Sequence, residues 1–231
     1  MSNVLMGYLN RRLKEDNSFE KDNLTTAGPV ITISREVGCN GLKLAKLISA
    51  RLNKPKQKHN WQVLSKEIFH KSASELNIES EYVRRVFKKS EKYAFDEVIK
   101  AFGNKNFKSE QRIINTVIKV VRSSAIDGYS IIVGRAGHII ASEIKNAIHI
   151  RLVAPLDYRI KTIQENNGLN REESIQFIKK VEKERIAFRK AINKNNLHEE
   201  LFDFTINRAS FSNEDIVDFI EFAMGKKGIL K

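Results

Sequence analysis

The segment REVGCNGLK at residues 35–43 combines cations and glycines in a way that suits phosphate binding. Gly38 and Gly41 permit a tight turn, and the apolar residues that follow recur at helical spacing, so the turn precedes a helix. The first amides of a helix lack helical acceptors and lie at the positive end of the dipole, where main chain alone can bind an anion. The predicted phosphate-binding residues are Arg35, Gly38, Cys39, Asn40, Gly41, Leu42 and Lys43.

This loop departs from the common pattern GxxxxGK[ST], in which the lysine reaches the terminal phosphates and the hydroxyl binds Mg²⁺. When residues 31–34 are taken as the strand, Arg35 stands at the first glycine, Asn40 at the second and Gly41 at the lysine. Lys43 is a poor direct replacement, because two residues along a helix its side chain points about 160° away. An ordinary strand-to-helix turn of an α/β protein is the alternative interpretation.

Arginines elsewhere in the chain could complete a phosphate site, since a guanidinium stays charged and donates two parallel hydrogen bonds. Arg135 follows an apolar strand and a glycine, and we favour a ligand role for it over a structural ion pair. Arg185 and Arg189 are four residues apart on one helix face and could close over phosphates as a lid. Taken alone, that pair fits an amphipathic helix whose charges remain in water somewhat better. Asn207 and Arg208 follow another strand and are candidate contacts to a nucleotide base.

Composition limits the choices without deciding among them. The chain has 41 Lys and Arg against 28 Asp and Glu, a net charge of +13, which favours an anionic partner such as a nucleotide, a nucleic acid or a membrane surface. No apolar run approaches the ~18–20 residues that span a bilayer, and the start lacks the core of a secretory signal. Cys39 is the only cysteine. We therefore expect a cytoplasmic protein without a membrane partner, in which Cys39 is a small turn residue instead of a reactive thiol.

Strands alternate with helices along the chain, which predicts an α/β fold with a parallel sheet and helices on both faces. In such sheets ligands bind at the carboxyl ends of the strands. We expect a polar arm at 1–27 and one domain at 28–231, with a helical insertion over the acceptor at about 60–126 and a lid at about 170–196. The predicted strands start at Val30, Tyr129, Ala147 and Phe202, and the later predicted helices are Leu156–Gln164, Glu172–Asn193 and Asn213–Met224.

Read in order, six segments resemble the cytidylate kinase-like family of P-loop proteins over about 29–222. They are ITISREVGCNGLKLAKLIS, WQVLSKEI, GYSIIVGRAGHII, VAPLDYRIKTIQ, VEKERIAFRKAI and FDFTINRASFSNEDIVDFI. The resemblance implies a P-loop NTPase fold, ATP with Mg²⁺ as donor, and a nucleoside monophosphate such as CMP as acceptor. It matches Arg35, Gly38 and Gly41 to the family loop, Arg135 to a Gly-Arg pair and Arg185 to the lid. Three positions depart from the family: Asn40 replaces a glycine, Leu42 an arginine and Ala136 the aspartate after the Gly-Arg pair.

These observations lead to a main hypothesis and two alternatives. The first is phosphoryl transfer from ATP to a small nucleotide, with Arg135, Arg185 and Arg189 as catalytic residues. The second is a nucleotide-binding regulator or sensor that has lost turnover, because the loop lacks its lysine and hydroxyl. The third, less favoured, is a nucleic-acid binder that uses Lys54, Lys56 and Lys58 with Trp61. The five histidines show no metal-ligand spacing, and the sequence identifies no Mg²⁺ ligands; we predict that Trp61 packs in the core.

Overall fold

The structure is a computed structural model that describes residues 27–53, 59–65, 117–118, 121–193 and 200–230. In these ranges the strands are β1 (Val30–Arg35), β2 (Gln62–Leu64), β3 (Ser130–Val133), β4 (Ala147–Val153) and β5 (Phe204–Asn207). The bounded helices are α1 (Gly41–Leu52), α2 (Gly137–Ile140), α3 (Leu156–Asn167), α4 (Arg171–Ile192) and α5 (Asn213–Lys226). Residues 121–127 are also helical.

The five described strands form one parallel sheet in the order β2-β3-β1-β4-β5. The central strand β1 is apolar and buried at Val30, Ile31 and Ile33, as expected for a strand that helices cover on both faces. Because all strands run in one direction, their carboxyl ends lie at one edge of the sheet. This arrangement confirms the predicted α/β fold.

Three apolar clusters hold the helices to this sheet. On one face, α1 and α5 pack against Ile31 of β1. On the other, the helical residues 121–127 contribute to a cluster that contains Val30. The third cluster lies at the carboxyl edge, where Val37 from the loop after β1 packs against α3 and α4. The loop is thus part of the packed structure.

Most sequence predictions for the later elements are confirmed. β4, α3 and α5 begin at the predicted residues, and α4 begins one residue early, at Arg171, after an Asn170 capping box. β5 is shorter than predicted at its start, since its pairing with β4 begins at Phe204. The packing role of Trp61 is also confirmed, since only 3% of it is exposed. The edge strand β2 is missing from the prediction because three residues are too few to show an alternating pattern.

Several predictions concern residues outside the described ranges. They include the arm except residue 27, the basic residues Lys54, Lys56 and Lys58, and most of the helical insertion, of which residues 60–65, 117–118 and 121–126 are described. The single-domain organisation stays a prediction. Among the described helices, none is long and apolar enough to cross a membrane. The cytoplasmic location likewise stays a prediction.

Candidate phosphate-binding site

The loop between β1 and α1 leaves the start of α1 open to an anion. The backbone hydrogen bond from Leu44 N to Asn40 O, 3.2 Å long, is the first of this helix, so the amides of Gly41, Leu42 and Lys43 precede the helical ladder. The Asn40 side chain does not cap them and instead accepts a hydrogen bond from Asn166 at 3.0 Å. No acidic residue lies in the first turn of α1. The main chain therefore presents donors and a positive dipole end at the carboxyl edge of the sheet.

Packing fixes the loop on the side of β4. The Val37 side chain is buried in the cluster formed with α3 and α4. Glu36 Oε2 accepts a hydrogen bond from Ala154 N, just after β4, at 3.0 Å. Gly38 has a φ of 93° and lies so close to α3 that an added Cβ would stand 2.7 Å from Arg159 O. These contacts fix the loop against α3, α4 and the residue that follows β4.

Arg35 fixes the other side, towards β3. A Cβ added to Gly41 would lie 3.2 Å from Arg35 Cγ, so the stem of Arg35 passes over the start of α1. Its guanidinium lies against Gly134, where an added Cβ would overlap Nη1 and stand 2.9 Å from Cζ. Gly134 N also donates to Ile33 O at 3.0 Å, which brings the end of β3 beside β1. Two motifs that are distant in the sequence thus meet beside the start of α1, and we call this meeting point of Arg35 and Gly134 the crevice.

The turn after β3 has an unusual backbone. Gly134, Arg135 and Ala136 have φ values of 75°, 53° and 54°, and two of these three residues are not glycine. Such left-handed geometry costs about 1 kcal/mol or more at each non-glycine position, so packing must enforce it. Arg135 Cζ lies 5.6 Å from the ring centroid of Phe188 on α4. The strained turn therefore directs Arg135 to Phe188 on α4.

Helix α4 contacts the loop through two charged side chains. Glu182 Oε1 accepts a hydrogen bond from Val37 N at 2.6 Å and lies 3.5 Å from Arg159 Nη1. Arg185 Nη1 donates to the carbonyl oxygen of Arg35 at 2.8 Å. Burial lowers the pKa of Arg185 from its usual value, and the nearby Glu182 carboxylate opposes this shift. The predicted lid helix thus lies directly on the phosphate loop.

The comparisons with known proteins agree with this geometry. The sequence pattern of the cytidylate kinase-like family matches residues 30–210. The chain belongs to the cytidylate kinase-like family. It is also similar to the crystal structure of an uncharacterized protein from Eubacterium ventriosum ATCC 27560, at 20% identity and a TM-score of 0.59, over 86% of this chain and 98% of that one. At this identity the likeness supports the fold alone. No curated protein matches the chain.

Family membership makes this a nucleotide kinase-like protein and gives meaning to its departures. Asn40 occupies a position where the family loop that this segment resembles has glycine. Its φ of 47° and ψ of 38° are left-handed. Asparagine tolerates this region better than other residues with a Cβ, which explains why it can replace glycine here. Ala136 has the same geometry without that tolerance, and it provides no side-chain cap for α2. The fold accommodates both departures.

Cys39 is a packing residue in this kinase-like protein, as predicted. Its side chain is fully buried in the core cluster of the sheet. Burial and the charge of Glu36 raise the pKa of the thiol to about 11, although the positive charges of Arg159 and Arg208 oppose the rise. The thiol is therefore protonated at neutral pH and is a poor nucleophile.

Arg208 and Asn207 lie at the carboxyl end of β5, at the same edge of the sheet as the loop. Arg208 is 6% exposed, and its Nη2 donates to Asn213 Oδ1 at 2.7 Å. Within the described residues its Nε and Nη1 have no hydrogen-bond partner. Asn207 accepts a hydrogen bond from Ala209 N at 3.0 Å. Contact of these residues with a nucleotide base stays a prediction.

Arg189 belongs to a different cluster from Arg185. Its Nε donates to Glu200 Oε1 at 2.8 Å. The other oxygen of Glu200 lies 3.3 Å from His138 Nε2 and 4.0 Å from Arg151 Nη1. This cluster ties the end of α4 to α2 and to the segment before β5. The structure thus brings Arg35 and Arg185 to the loop, places Arg135 against Phe188 of α4 and pairs Arg189 with Glu200. The catalytic roles of Arg135, Arg185 and Arg189 stay predictions.

The sequence did not reveal the three residues that support the loop: Glu36, Arg159 and Glu182. Glu182 is noticeable only as an acid one turn before Arg185, and its contact with Val37 spans 145 positions. Arg159 lies inside the matched VAPLDYRIKTIQ segment, but nothing in that pattern indicates its contact with the loop. Trp61 does not belong to the nucleic-acid surface predicted with Lys54, Lys56 and Lys58, because a buried side chain cannot stack on bases.

Replacing Glu182 tests whether α4 is bound to the loop. We expect Glu182→Ala to lower the free energy of unfolding by about 2 kcal/mol, because Val37 N and Arg159 both lose their acceptor. Glu182→Gln keeps an acceptor oxygen and should lose about half of that amount. Urea unfolding measures both, with Glu165→Ala, an exposed position on α3, as the control that should change little. Equal stabilities for Glu182→Ala and Glu165→Ala would contradict this contact.

The cluster around Glu200 predicts a dependence of stability on pH. Burial lowers the pKa of His138 to about 4, and the Glu200 carboxylate opposes the shift. The unfolded chain binds a proton at a pKa of about 6.5, so stability falls as the pH drops from 6.5 towards 4. We expect His138 to cost about 1 kcal/mol between pH 7.5 and 5.5.

Urea titrations at those two pH values measure this loss, and His138→Gln should reduce it. A residual dependence is expected from His149, whose pKa burial also lowers. If His138→Gln shows the same loss as the natural sequence, His138 is not the titrating group.

Proposed function

We propose that this protein transfers the γ-phosphoryl group of ATP to a nucleoside monophosphate, with CMP as the first acceptor to test. The observation that carries the proposal is that the uncapped start of α1, the Arg35 side chain and the Gly134-Arg135 turn meet at one edge of the sheet. Phosphoryl transfer needs little covalent chemistry from a protein, and most of the catalysis is positioning and charge stabilisation. Main-chain donors and several guanidinium groups suit that task.

Each part of the crevice has a distinct role in this proposal. The amides of Gly41, Leu42 and Lys43 hold the donor phosphates, as the start of a helix holds anions elsewhere, whereas Cys39 N already donates to Glu36 O at 3.3 Å. Arg135 binds the acceptor phosphate with two parallel hydrogen bonds. An oxygen of that phosphate then attacks the γ-phosphorus, the bond to ADP breaks, and ADP leaves. Arg185, brought to the loop by α4, neutralises charge on the transferring group when it exchanges the Arg35 carbonyl for phosphate oxygens.

The described residues do not supply a Mg²⁺ site. The loop has no hydroxyl at Leu42 or Lys43, and Glu36 and Glu182 accept hydrogen bonds from main-chain amides. Within the described part of the chain, no group of three acidic, histidine or cysteine residues could hold a metal. In this proposal Mg²⁺ enters with ATP, held by phosphate oxygens and water, and neutralises phosphate charge. No step assigned to the residues above depends on it.

An acceptor panel tests the proposal. ADP release is followed with ATP and each of CMP, UMP, AMP and GMP, and with ATP alone as the control. Release that depends on one acceptor supports the proposal. Binding of ATP in a calorimeter without acceptor-dependent release would instead support the nucleotide sensor, which the missing loop lysine also favours. Failure to bind ATP would exclude both functions.

A further inference from the structure

The Arg35 side chain lies beside position 41, where the common loop has its lysine. Gly41 occupies that position and has no side chain. A Cβ there would stand 3.2 Å and 3.3 Å from Arg35 Cγ and Cδ. The stem of Arg35, which is the last residue of β1, therefore runs through the space into which a side chain at position 41 would start. A lysine at 41 and an arginine at 35 would compete for this space.

The charged head of Arg35 lies at the crevice between β1 and β3. It packs against Gly134, whose missing side chain leaves room for Nη1 and Cζ. Gly134 has a φ of 75°, so both its backbone and its surroundings require glycine. The glycine of the Gly-Arg pair thus accommodates the Arg35 guanidinium, while the next residue, Arg135, extends to Phe188 on α4. The Arg35 side chain therefore runs from the start of α1, at Gly41, to the end of β3, at Gly134.

We infer that Arg35 supplies the cation that the common loop takes from its lysine, and binds the terminal phosphates of a nucleoside triphosphate. This inference rests on the proposed function and assigns the phosphate contact to one side chain. The Arg35 side chain begins at the end of β1, whereas the lysine of the common loop begins at the start of the helix. In this inference both place a cation at the same phosphates, and the guanidinium remains charged at any working pH. The substitution of glycine for lysine at position 41 is then compensated by the neighbouring motif.

Titration calorimetry with ATP and with inorganic tripolyphosphate tests this inference. Arg35→Met keeps a stem over Gly41 but removes the charge, so the fold should be retained. We expect it to weaken both probes about 10- to 100-fold, the range for loss of a charge-assisted contact. The double variant Arg35→Ala with Gly41→Lys, compared with Arg35→Ala alone, should recover at least about five-fold in affinity, because the lysine enters the vacated space. Thermal unfolding of each variant checks that it is folded.

The outcomes separate this inference from the proposed function. If the natural protein binds neither probe, both are overturned. If it binds both probes and Arg35→Met binds them equally well, only the assignment of Arg35 fails. A weaker affinity without recovery at Gly41→Lys, together with a lower melting temperature for Arg35→Met, would show that Arg35 shapes the turn and does not bind phosphate. That result would also overturn the assignment.

Discussion

Arg135→Ala should lower kcat/KM for the nucleoside monophosphate by about 100- to 1,000-fold, with a small change in ATP affinity. The loss is large because two charge-assisted hydrogen bonds to the acceptor phosphate disappear together. Arg135→Lys keeps the charge but not the paired geometry, so it should lose about ten-fold. Coupled measurement of ADP release with varied acceptor concentration checks both variants.

Two controls accompany this experiment. Arg171→Ala removes an arginine whose side chain is 63% exposed and pairs with exposed Asp157, and it should leave kcat/KM unchanged. Thermal unfolding of Arg135→Ala checks the fold, since the contact with Phe188 is lost while the left-handed backbone is kept. If folded Arg135→Ala retains the natural kcat/KM, Arg135 does not bind the acceptor.

Gly38→Ala should lower the free energy of unfolding by about 3 kcal/mol. Alanine is strained at a φ of 93°, and its Cβ would stand 2.7 Å from Arg159 O and 2.8 Å from Arg159 Cα. These are main-chain atoms of α3, which cannot move aside as a flexible side chain can. The loop must therefore shift away from α3, and we expect ATP binding to weaken as well.

Gly168→Ala is the matched control for this substitution. Gly168 has a φ of 65° at the end of α3, and an added Cβ would meet nothing within 4 Å. It should cost only the backbone strain, about 1 kcal/mol. Urea unfolding at one pH compares the two variants directly. Equal losses would show that the contact between the loop and α3 contributes nothing to stability.

The sequence predicts the sheet and the loop well because their signals are local. The buried strand at Val30 begins with four β-branched residues, VITI, and α5 begins after a Ser212 capping box. Gly38, Asn40 and Arg135 could be proposed as candidate site residues from motifs whose order along the chain matches a family. These features need only a few neighbouring residues to be recognised.

The network that holds the site could not be predicted, because it depends on distances across the fold. Nothing in the local sequence pairs Glu182 with Val37, or Arg185 with the carbonyl of Arg35. The path of Arg35 over Gly41 depends on two glycines that are far apart in the chain. Helical spacing groups Arg189 with Arg185, but it cannot show that Arg189 donates to Glu200, which lies 11 positions further along the chain.

The contact between Arg185 and Arg35 uses the backbone of position 35 and not its side chain. Arg35 thus has two separate roles. Its carbonyl accepts the hydrogen bond from α4, while its guanidinium lies against Gly134. A change of amino acid at this position leaves the anchor in place, so natural variation could retune the charge at the crevice without releasing α4. At position 35, the attachment of α4 and the charge beside Gly134 accordingly depend on different atoms of one residue.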